Sequence, residues 1–590
     1  MCGILGINKP NQTAIQEAAQ TIAHRGPDMY GEWIDEQVSL GFDRLSIIDL
    51  DKRASQPMWD DAHEISVIFN GEIYNFRELK KELEKEFRFQ TTSDTEVLLY
   101  GYKKYGPQFA ERLHGMFAFA VYDTRSQSLI LFRDHAGIKP LLYYFDGSVF
   151  CFASEMKALL ELLGSQNIKL KLDREALNIY FALGYIPSPQ TLYTHIKKVP
   201  RGSYIEFDLA DKRISGATPI PLPKVGVRNE SELFELIERV IVEQVVADVP
   251  VGVFFSGGTD SSLIASVLHK KGIDLETFSV ALPERDKDKR YFSEIAAHLK
   301  LRRNEFDFGS REFDATYEPV MSRLDEPLAE TSLFPTYFIA QKARERVKVV
   351  LSGEGGDELF FGYYQQAALA RLRGRVDQNM TLLDHTYLAS PDFKGKNALF
   401  QKLFAAAAQP ISLYLSVSAP ARDATSKDAW ATGKRAVAYV RDPLYFDRDI
   451  YLENDLLRKT DLTTSFNSIE GRVPLLDPRI VAAAPVFESA FTSGKIWKPI
   501  LKRMLEHNLP KHLVNRPKSG FGLPLKTSFE TSLALKRDLA EAISFLASRN
   551  LLLMHLPRSR ATLIERFPNA CFALVSLYRT ILNNERSLKA

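Results

Sequence analysis

The most chemically suggestive residue in this sequence is Cys2. Once Met1 is removed, a single residue carries both a thiol and a free α-amine. An α-amine titrates at about pH 8, close enough to neutrality to accept the thiol proton. Nucleophile and base then come from one residue, the N-terminal variant of base-assisted attack. Taken alone, a cysteine at position 2 is equally an ordinary small residue, so its surroundings decide. A second centre is Ser256-Gly257-Gly258-Thr259-Asp260-Ser261-Ser262, placed between an apolar run, Val251 to Phe255, and a helical pattern, Ser261 to Lys271. Glycines allow a tight turn there, hydroxyls and N–H groups face outward, and the helix N-terminus favours an anion. This is a phosphate site by geometry, yet neither G-x-x-x-x-G-K-[ST] nor G-x-G-x-x-G is present. The theme of strand then glycine turn returns at Lys348 to Leu351, followed by Ser352-Gly353-Glu354-Gly355-Gly356-Asp357-Glu358-Leu359.

The elements that must position these groups fall into two halves. With 590 residues, 45% hydrophobic and 25% charged, the chain suits two to four soluble domains with large cores. A net charge of +2 gives no reason to expect a nucleic-acid or membrane partner. The weakly charged stretch Phe404 to Ala421 is interrupted by Pro410 and serines and reads as a packed segment, not a bilayer span. No secretory signal opens the chain, and Cys2, Cys151 and Cys571 fit neither a disulfide framework nor a metal site, so a reducing cytoplasm is expected.

The first ~210 residues carry short apolar segments separated by turns. They include Ile65 to Phe69 running into Asn70-Gly71, then a helix with Phe76, Leu79, Leu83 and Phe87 on one face. Gly115 to Tyr122, Leu129 to Phe132 and Leu141 to Phe145 read as further strands. Thr218 to Pro223, with three prolines, reads as a linker. Beyond it lies an amphipathic helix from Glu230 to about Ala247. Apolar strands (Val251 to Phe255, Thr277 to Leu282, Lys348 to Leu351) then alternate with helices, which implies a parallel sheet covered on both faces. The last ~200 residues look mainly helical.

Around Cys2 the sequence reads Met1-Cys2-Gly3-Ile4-Leu5-Gly6, His24-Arg25-Gly26-Pro27-Asp28, Arg44 to Asp49, Gln56-Pro57-Met58, Asn70-Gly71-Glu72-Ile73-Tyr74-Asn75, Ser93 to Glu96, and Arg133-Asp134 through Leu141. These motifs resemble the glutaminase domain of class II glutamine amidotransferases over nearly all of the first ~200 residues. The resemblance implies an α+β N-terminal-nucleophile sandwich (αββα) over 2–212. Glutamine is a zwitterion, and the resemblance implies Arg44 on its carboxylate and Asp94, assisted by Glu72, on its ammonium. Asn70 and the backbone N–H of Gly71 are suited to hold the oxyanion formed when Cys2 attacks the side-chain amide. His24 and Arg25 are expected to order the loop.

The loop at Ser256 resembles that of the ATP pyrophosphatases, which cleave between the α- and β-phosphates. Together with Asp325-Glu326-Pro327, Ser332, Pro335-Thr336, Glu470-Gly471-Arg472-Val473-Pro474 to Asp477, and Lys518 in Arg516 to Phe521, it resembles the synthetase domain of glutamine-hydrolysing asparagine synthetases. The resemblance implies a Rossmann-like α/β domain with a helical C-terminal part, assigned to 226–590. ATP would be the co-substrate, bound by Phe254, Ser256, Gly257, Gly258, Asp260, Ser261, Val280, Ser352 and Gly353, with Mg²⁺ on Asp260 and Asp357. Glu354 would serve intermediate formation and ammonia capture, and Lys518 would neutralise charge on the transferring phosphate. Lys498 and Lys502 either face pyrophosphate or form a solvated helix face. A dry passage for ammonia between the sites is expected.

The expected reaction converts aspartate, ATP and glutamine to asparagine, AMP, pyrophosphate and glutamate. The alternative applies the same machinery to another carboxylate, such as a polysaccharide uronic acid or a natural-product acid. The pattern departs from the family at Thr259, Glu330, Phe361 and the mixed-charge run Glu284 to Arg290. A phosphoribosyl-transferring amidotransferase is disfavoured by the Ser256 to Ser262 loop, and a β-lactam-forming relative by Cys2. A scaffold with a dead enzyme fold would have lost some of these site residues. The sequence leaves the oligomeric state open, a homodimer included.

Overall fold

A computed structural model of the chain describes residues 1–282, 286–363, 366, 445–487, 498–515, 522–552 and 559–588. Lys518, the stretch 404–421 and the start of the 284–290 run lie outside the described residues.

The first half is two stacked antiparallel sheets. One has six strands in the order Ile196–Lys198, Leu142–Phe145, Phe150–Ala153, Gly3–Ile7, Ser39–Arg44, Met29–Ile34. The main path of the other runs Arg213–Ile214, Ser203–Asp208, Ser128–Arg133, Gly115–Asp123, Ile65–Ile73, Met58–Trp59. Successive strand side chains point to opposite faces. One set, including Ile4, Phe42, Phe152, Ile68, Leu131 and Phe207, fills the space between the sheets. The outer face of the first sheet packs under helices Gln12–Ile22 and Met156–Gly164, and that of the second under Phe76–Leu83 and Asp94–Tyr105. The layers run helix, sheet, sheet, helix.

The helix that starts at Phe76 ends at Leu83, so Phe87 lies beyond it, and two further details differ from the sequence reading. Asn70-Gly71 is not a turn: the strand continues through it to Ile73, paired along its whole length with Gly115–Asp123. Gly71 is required by proximity, since a Cβ there would lie 2.1 Å from the Met116 carbonyl oxygen. The supposed linker starts as an edge strand, Thr218–Pro219, on Ser203–Tyr204, with Ile220 buried beyond it. A proline is tolerated at an edge because its missing donor is not needed there.

The second half is built on five parallel strands in the order Arg302–Asp307, Glu276–Ala281, Val251–Phe254, Val349–Leu351, Glu470–Arg472. Strand order reverses on either side of Val251–Phe254, the point where open α/β sheets bind ligands beyond their C-terminal strand ends. Both glycine-rich turns leave from that point, after Val251–Phe254 and after Val349–Leu351. The preceding helix is Glu230–Glu243, ending short of Ala247. The carbonyls of Gln244 and Val246 accept from Arg472 instead of continuing the helix, and Val246 and Ala247 pack on the core of the first half. The C-terminal helices Leu533–Ser548 and Pro568–Ser587 share one apolar core with the first half. Tyr180 donates to the Ala573 carbonyl at 2.8 Å, and Leu328 donates to Ser576 at 3.0 Å. The last helix thus staples the two halves together.

Candidate active sites

The first candidate pocket is built at the ends of three strands. Cys2 precedes Gly3–Ile7, Asn70 and Glu72 lie in Ile65–Ile73, and Arg44 ends Ser39–Arg44. The Cys2 nitrogen is a peptide amide here, since Met1 is present; it stands in for the α-amine that loss of Met1 would free. That N–H donates to Asn70 Oδ1 at 3.0 Å, which fixes the amide so that its Nδ2 points elsewhere. This Nδ2 is buried and has no partner among the described residues. The Cys2 thiol points to the Leu45 carbonyl at 3.9 Å. Burial pushes the thiol up, and the nearby terminal ammonium pulls it back.

Arg44 is buried and donates to the backbone carbonyls of Ile48 (3.2 Å), Asp49 and Asp51 (2.9 Å). These neutral acceptors orient the guanidinium without cancelling its charge, which suits it to a carboxylate ligand. Asp94 heads the helix Asp94–Tyr105 and accepts from Ile73 N–H at 3.0 Å. Burial raises its carboxyl to about 6. Burial and the charge of Asp94 raise Glu72 well above the usual carboxylate range. One Glu72 oxygen accepts from Arg472 at 2.9 Å, and the other is buried and receives no N–H or hydroxyl donor among the described residues.

The second site lies at the reversal point of the parallel sheet. Gly257 takes a positive φ of 63°, Ser256 and Ser261 hydroxyls meet at 3.1 Å, and Gly258 N–H donates to Ser256 Oγ at 3.2 Å. The second turn is pressed against the first: a Cβ on Gly353 would sit 2.7 Å from Asp260 Cβ, and one on Gly356 2.3 Å from Asp260 Oδ1. Phe254 and Val280, at or near the C-terminal ends of adjacent strands, are half-buried and pack on one apolar cluster. Asp260 and Asp357 converge on one ammonium, Lys498, which is 2.9 Å from Asp357. A carboxylate pair that already shares a cation offers the hard oxygen donors that a divalent ion would take. Burial would lower Lys498, but the two carboxylates outweigh it and hold the ammonium up. Lys498 precedes the helix Pro499–Glu506 in a left-handed conformation and is buried, so it forms no solvated face with Lys502.

Glu354 is anchored on both oxygens. Ser352 Oγ donates to one at 3.0 Å, and Lys459 (3.0 Å) and Thr460 (2.9 Å) donate to the other. Burial would raise its carboxyl, but Lys459 and these hydrogen bonds hold it below its usual value, as a carboxylate.

Between the sites runs a seam of paired charges. Arg25 is fully enclosed; it donates to the Cys2 carbonyl at 3.0 Å, to Glu155 at 2.7 Å and to both Asp461 oxygens at 2.9 and 3.0 Å. Asp461 follows Thr460 in the helix Arg458–Ser465, so Arg25 ties the cysteine to the helix that holds Glu354. Arg133 pairs with Glu453 at 2.7 Å, and Met1 N with Glu470 at 3.5 Å.

The structure brings Cys2, Arg44, Asn70, Gly71, Glu72 and Asp94 together, and separately Phe254, Ser256, Gly257, Gly258, Asp260, Ser261, Val280, Ser352, Gly353, Glu354 and Asp357. Lys459, Thr460 and Asp461 escaped the sequence reading; Arg458-Lys459-Thr460-Asp461 has the composition of a solvated turn. Phe361, at a position where the family commonly has glycine, has φ 54°, so the backbone keeps the conformation a glycine would favour.

Comparison with known proteins agrees with this architecture. The family described as "Glutamine amidotransferase domain" matches residues 1–216, and "Asparagine synthase" matches 232–567. The chain is 34% identical over 559 residues to "Asparagine synthetase [glutamine-hydrolyzing] 1" of Bacillus subtilis (strain 168), covering 89% of this chain and 87% of that one. It is 33% identical over 569 residues to a "Putative asparagine synthetase [glutamine-hydrolyzing]" of Mycobacterium tuberculosis (strain ATCC 25618 / H37Rv), covering 87% and 84%. "Asparagine synthetase B [glutamine-hydrolyzing]" of Escherichia coli (strain K12) is 32% identical over 392 residues, or 62% of this chain and 65% of that one. Amidation of a different carboxylate is not favoured by these relatives. With both halves matched and both sites assembled, the chain belongs to the family of glutamine-hydrolysing asparagine synthetases.

Proposed function

We propose that this chain hydrolyses glutamine at Cys2 and delivers the ammonia to a β-aspartyl adenylate made from aspartate and ATP. The convergence of the two candidate sites on one buried seam carries the reading. Loss of Met1 would turn the Cys2 nitrogen into the amine that takes the thiol proton. Sγ then attacks the glutamine side-chain carbon, and the oxyanion is received by Asn70 Nδ2 and Gly71 N–H. Ammonia leaves, and water releases glutamate from the thioester. Arg44 holds the substrate carboxylate, and Asp94 with Glu72 its ammonium.

In the crevice, an aspartate side-chain oxygen attacks the α-phosphorus, the bond to the β-phosphate oxygen breaks, and pyrophosphate departs. The loop 256–262 and Ser352-Gly353 cradle ATP, with Phe254 and Val280 against the base and ribose. Asp260 and Asp357 would hold Mg²⁺, which neutralises phosphate charge when bound. Ionised Glu354 receives the proton as ammonia nitrogen attacks the acyl carbon and AMP leaves. Lys518 is assigned to the transferring phosphate. We assign residues 2–212 to an N-terminal-nucleophile glutaminase domain and 226–590 to the synthetase. Among the described residues no helix is long and apolar enough to cross a membrane, and we assign the chain to the cytoplasm.

The test uses purified full-length chain and a Cys2→Ala variant. With ammonia, ATP, Mg²⁺ and aspartate, both release AMP at rates within about twofold; with glutamine, the variant falls by roughly 1000-fold or more. ADP in place of AMP, or joint loss of both activities, would overturn the proposal.

A further inference from the structure

Arg472 takes part in both sites. Its enclosed side chain donates from Nη2 to Glu72 at 2.9 Å, from Nε to Glu470 at 2.8 Å, and from Nη1 to the Gln244 and Val246 carbonyls at 2.8 and 2.6 Å. Its main chain belongs to the strand Glu470–Arg472, which pairs with Val349–Leu351. The Arg472 carbonyl accepts the Ser352 N–H at 2.8 Å, and Ser352 Oγ donates to Glu354 at 3.0 Å. One residue therefore touches a glutamine-ammonium ligand with its side chain and the base of the adenylation turn with its backbone.

The bonds to Glu470, Gln244 and Val246 would suffice for a purely structural arginine. The bond to Glu72 adds something they do not. The remaining Glu72 oxygen is buried and receives no N–H or hydroxyl donor among the described residues, and a neutral Glu72 carboxyl shares its proton with the Asp94 side chain beside it. With no ammonium present, burial and Asp94 favour the neutral Glu72 carboxyl. An ammonium brought to the pair favours the carboxylate, and the Arg472 guanidinium binds a carboxylate more tightly than a neutral carboxyl because both partners are then charged. The state of the glutamine pocket is thus written into the strength of the Arg472 contact.

We propose that Arg472 is a positioning residue that couples the sites. Occupation of the glutamine pocket tightens Glu72 on the Arg472 guanidinium, and the strand passes that restraint to Ser352 and Glu354. Coupling between binding sites is reciprocal, so a filled synthetase crevice must also favour glutamine. The inference deepens the function proposed above and rests on it.

The test compares full-length wild type with Arg472→Lys. The KM for glutamine and the kcat of glutamate release are measured with and without ATP, Mg²⁺ and aspartate, together with glutamate formed per AMP and ammonia-driven AMP release. In the wild type, the filled crevice lowers the KM for glutamine by about fivefold, and glutamate per AMP stays near one. In Arg472→Lys, ammonia-driven AMP release stays within about threefold, the KM no longer responds, and glutamate per AMP rises above one. A response retained by the variant, a wild type without response, or an equal loss of both activities overturns the inference. If the wild type makes no AMP from aspartate, the functional reading itself falls and the inference with it.

A second measurement needs no change at Arg472. In the Cys2→Ala chain, saturating glutamine without ATP slows amide exchange in the peptide 349–354 by about threefold or more. Unchanged exchange on glutamine binding counts against the coupling.

Discussion

The two sites are prepared for their ligands in opposite ways. In the first pocket, Asn70 Nδ2 is buried and unmatched among the described residues, one Glu72 oxygen receives no N–H or hydroxyl donor there, and Arg44 is oriented by neutral carbonyls and the Met29 sulfur. In the ATP crevice the charges are matched to each other: Asp260 and Asp357 with Lys498, Glu354 with Lys459. Leaving a buried polar group unmade costs about 1–3 kcal/mol, so the first pocket keeps its donors only because a rigid double sheet holds them. The second must exchange partners when the nucleotide arrives. A small zwitterion completes a fixed set of hydrogen bonds, whereas a highly charged triphosphate displaces an existing set.

This contrast can be broken at three points. The largest effect is expected at Asn70→Ala, which removes a preformed oxyanion donor. Glutaminase kcat should fall about 100- to 1000-fold with ammonia-driven AMP release intact, as measured by glutamate formation. A loss under tenfold would mean that Asn70 is not aimed at the oxyanion. Next comes Lys498→Met, which removes the ammonium that Asp260 and Asp357 share. Chemical denaturation without ligand should show a loss of about 2 kcal/mol, largely recovered in Mg²⁺. Equal stability with and without the ion would count against a shared cation site.

The smallest effect concerns pH. Burial raises Asp94 to about 6, so on its proposed role the charge that attracts the substrate ammonium is present above that value and lost below it. The KM for glutamine should therefore climb as pH falls through 6, by about tenfold per unit below it, with the KM for aspartate flat at fixed free ammonia. A glutamine KM constant from pH 7 to 5 would remove Asp94 from the ammonium site.

What could be read from sequence followed from how local the chemistry is. The turns 256–262 and 352–359 put glycines, hydroxyls and carboxylates within a few consecutive residues, so backbone geometry and function were visible together. Cys2 was legible from its position. Asn70-Gly71 was misread as a turn because the dipeptide favours one locally, whereas nine residues of pairing with Gly115–Asp123 override that preference. Lys459, Thr460 and Asp461 could not have been found, because only the tertiary fold decides that such a polar stretch is buried against Glu354 and Arg25. The role of Lys498 was open for a similar reason: two lysines near each other say nothing of a half-buried acid pair far away in sequence.

Met1 adds a constraint on timing. It is 1% exposed, with its amine beside Glu470 and its sulfur 3.7 Å from Arg25. A peptidase needs an extended, reachable chain end, which this folded arrangement does not offer. Excision must then come early, while the nascent chain is still open. A chain that closed first would be sealed as a half-enzyme, fed by free ammonia and deaf to glutamine.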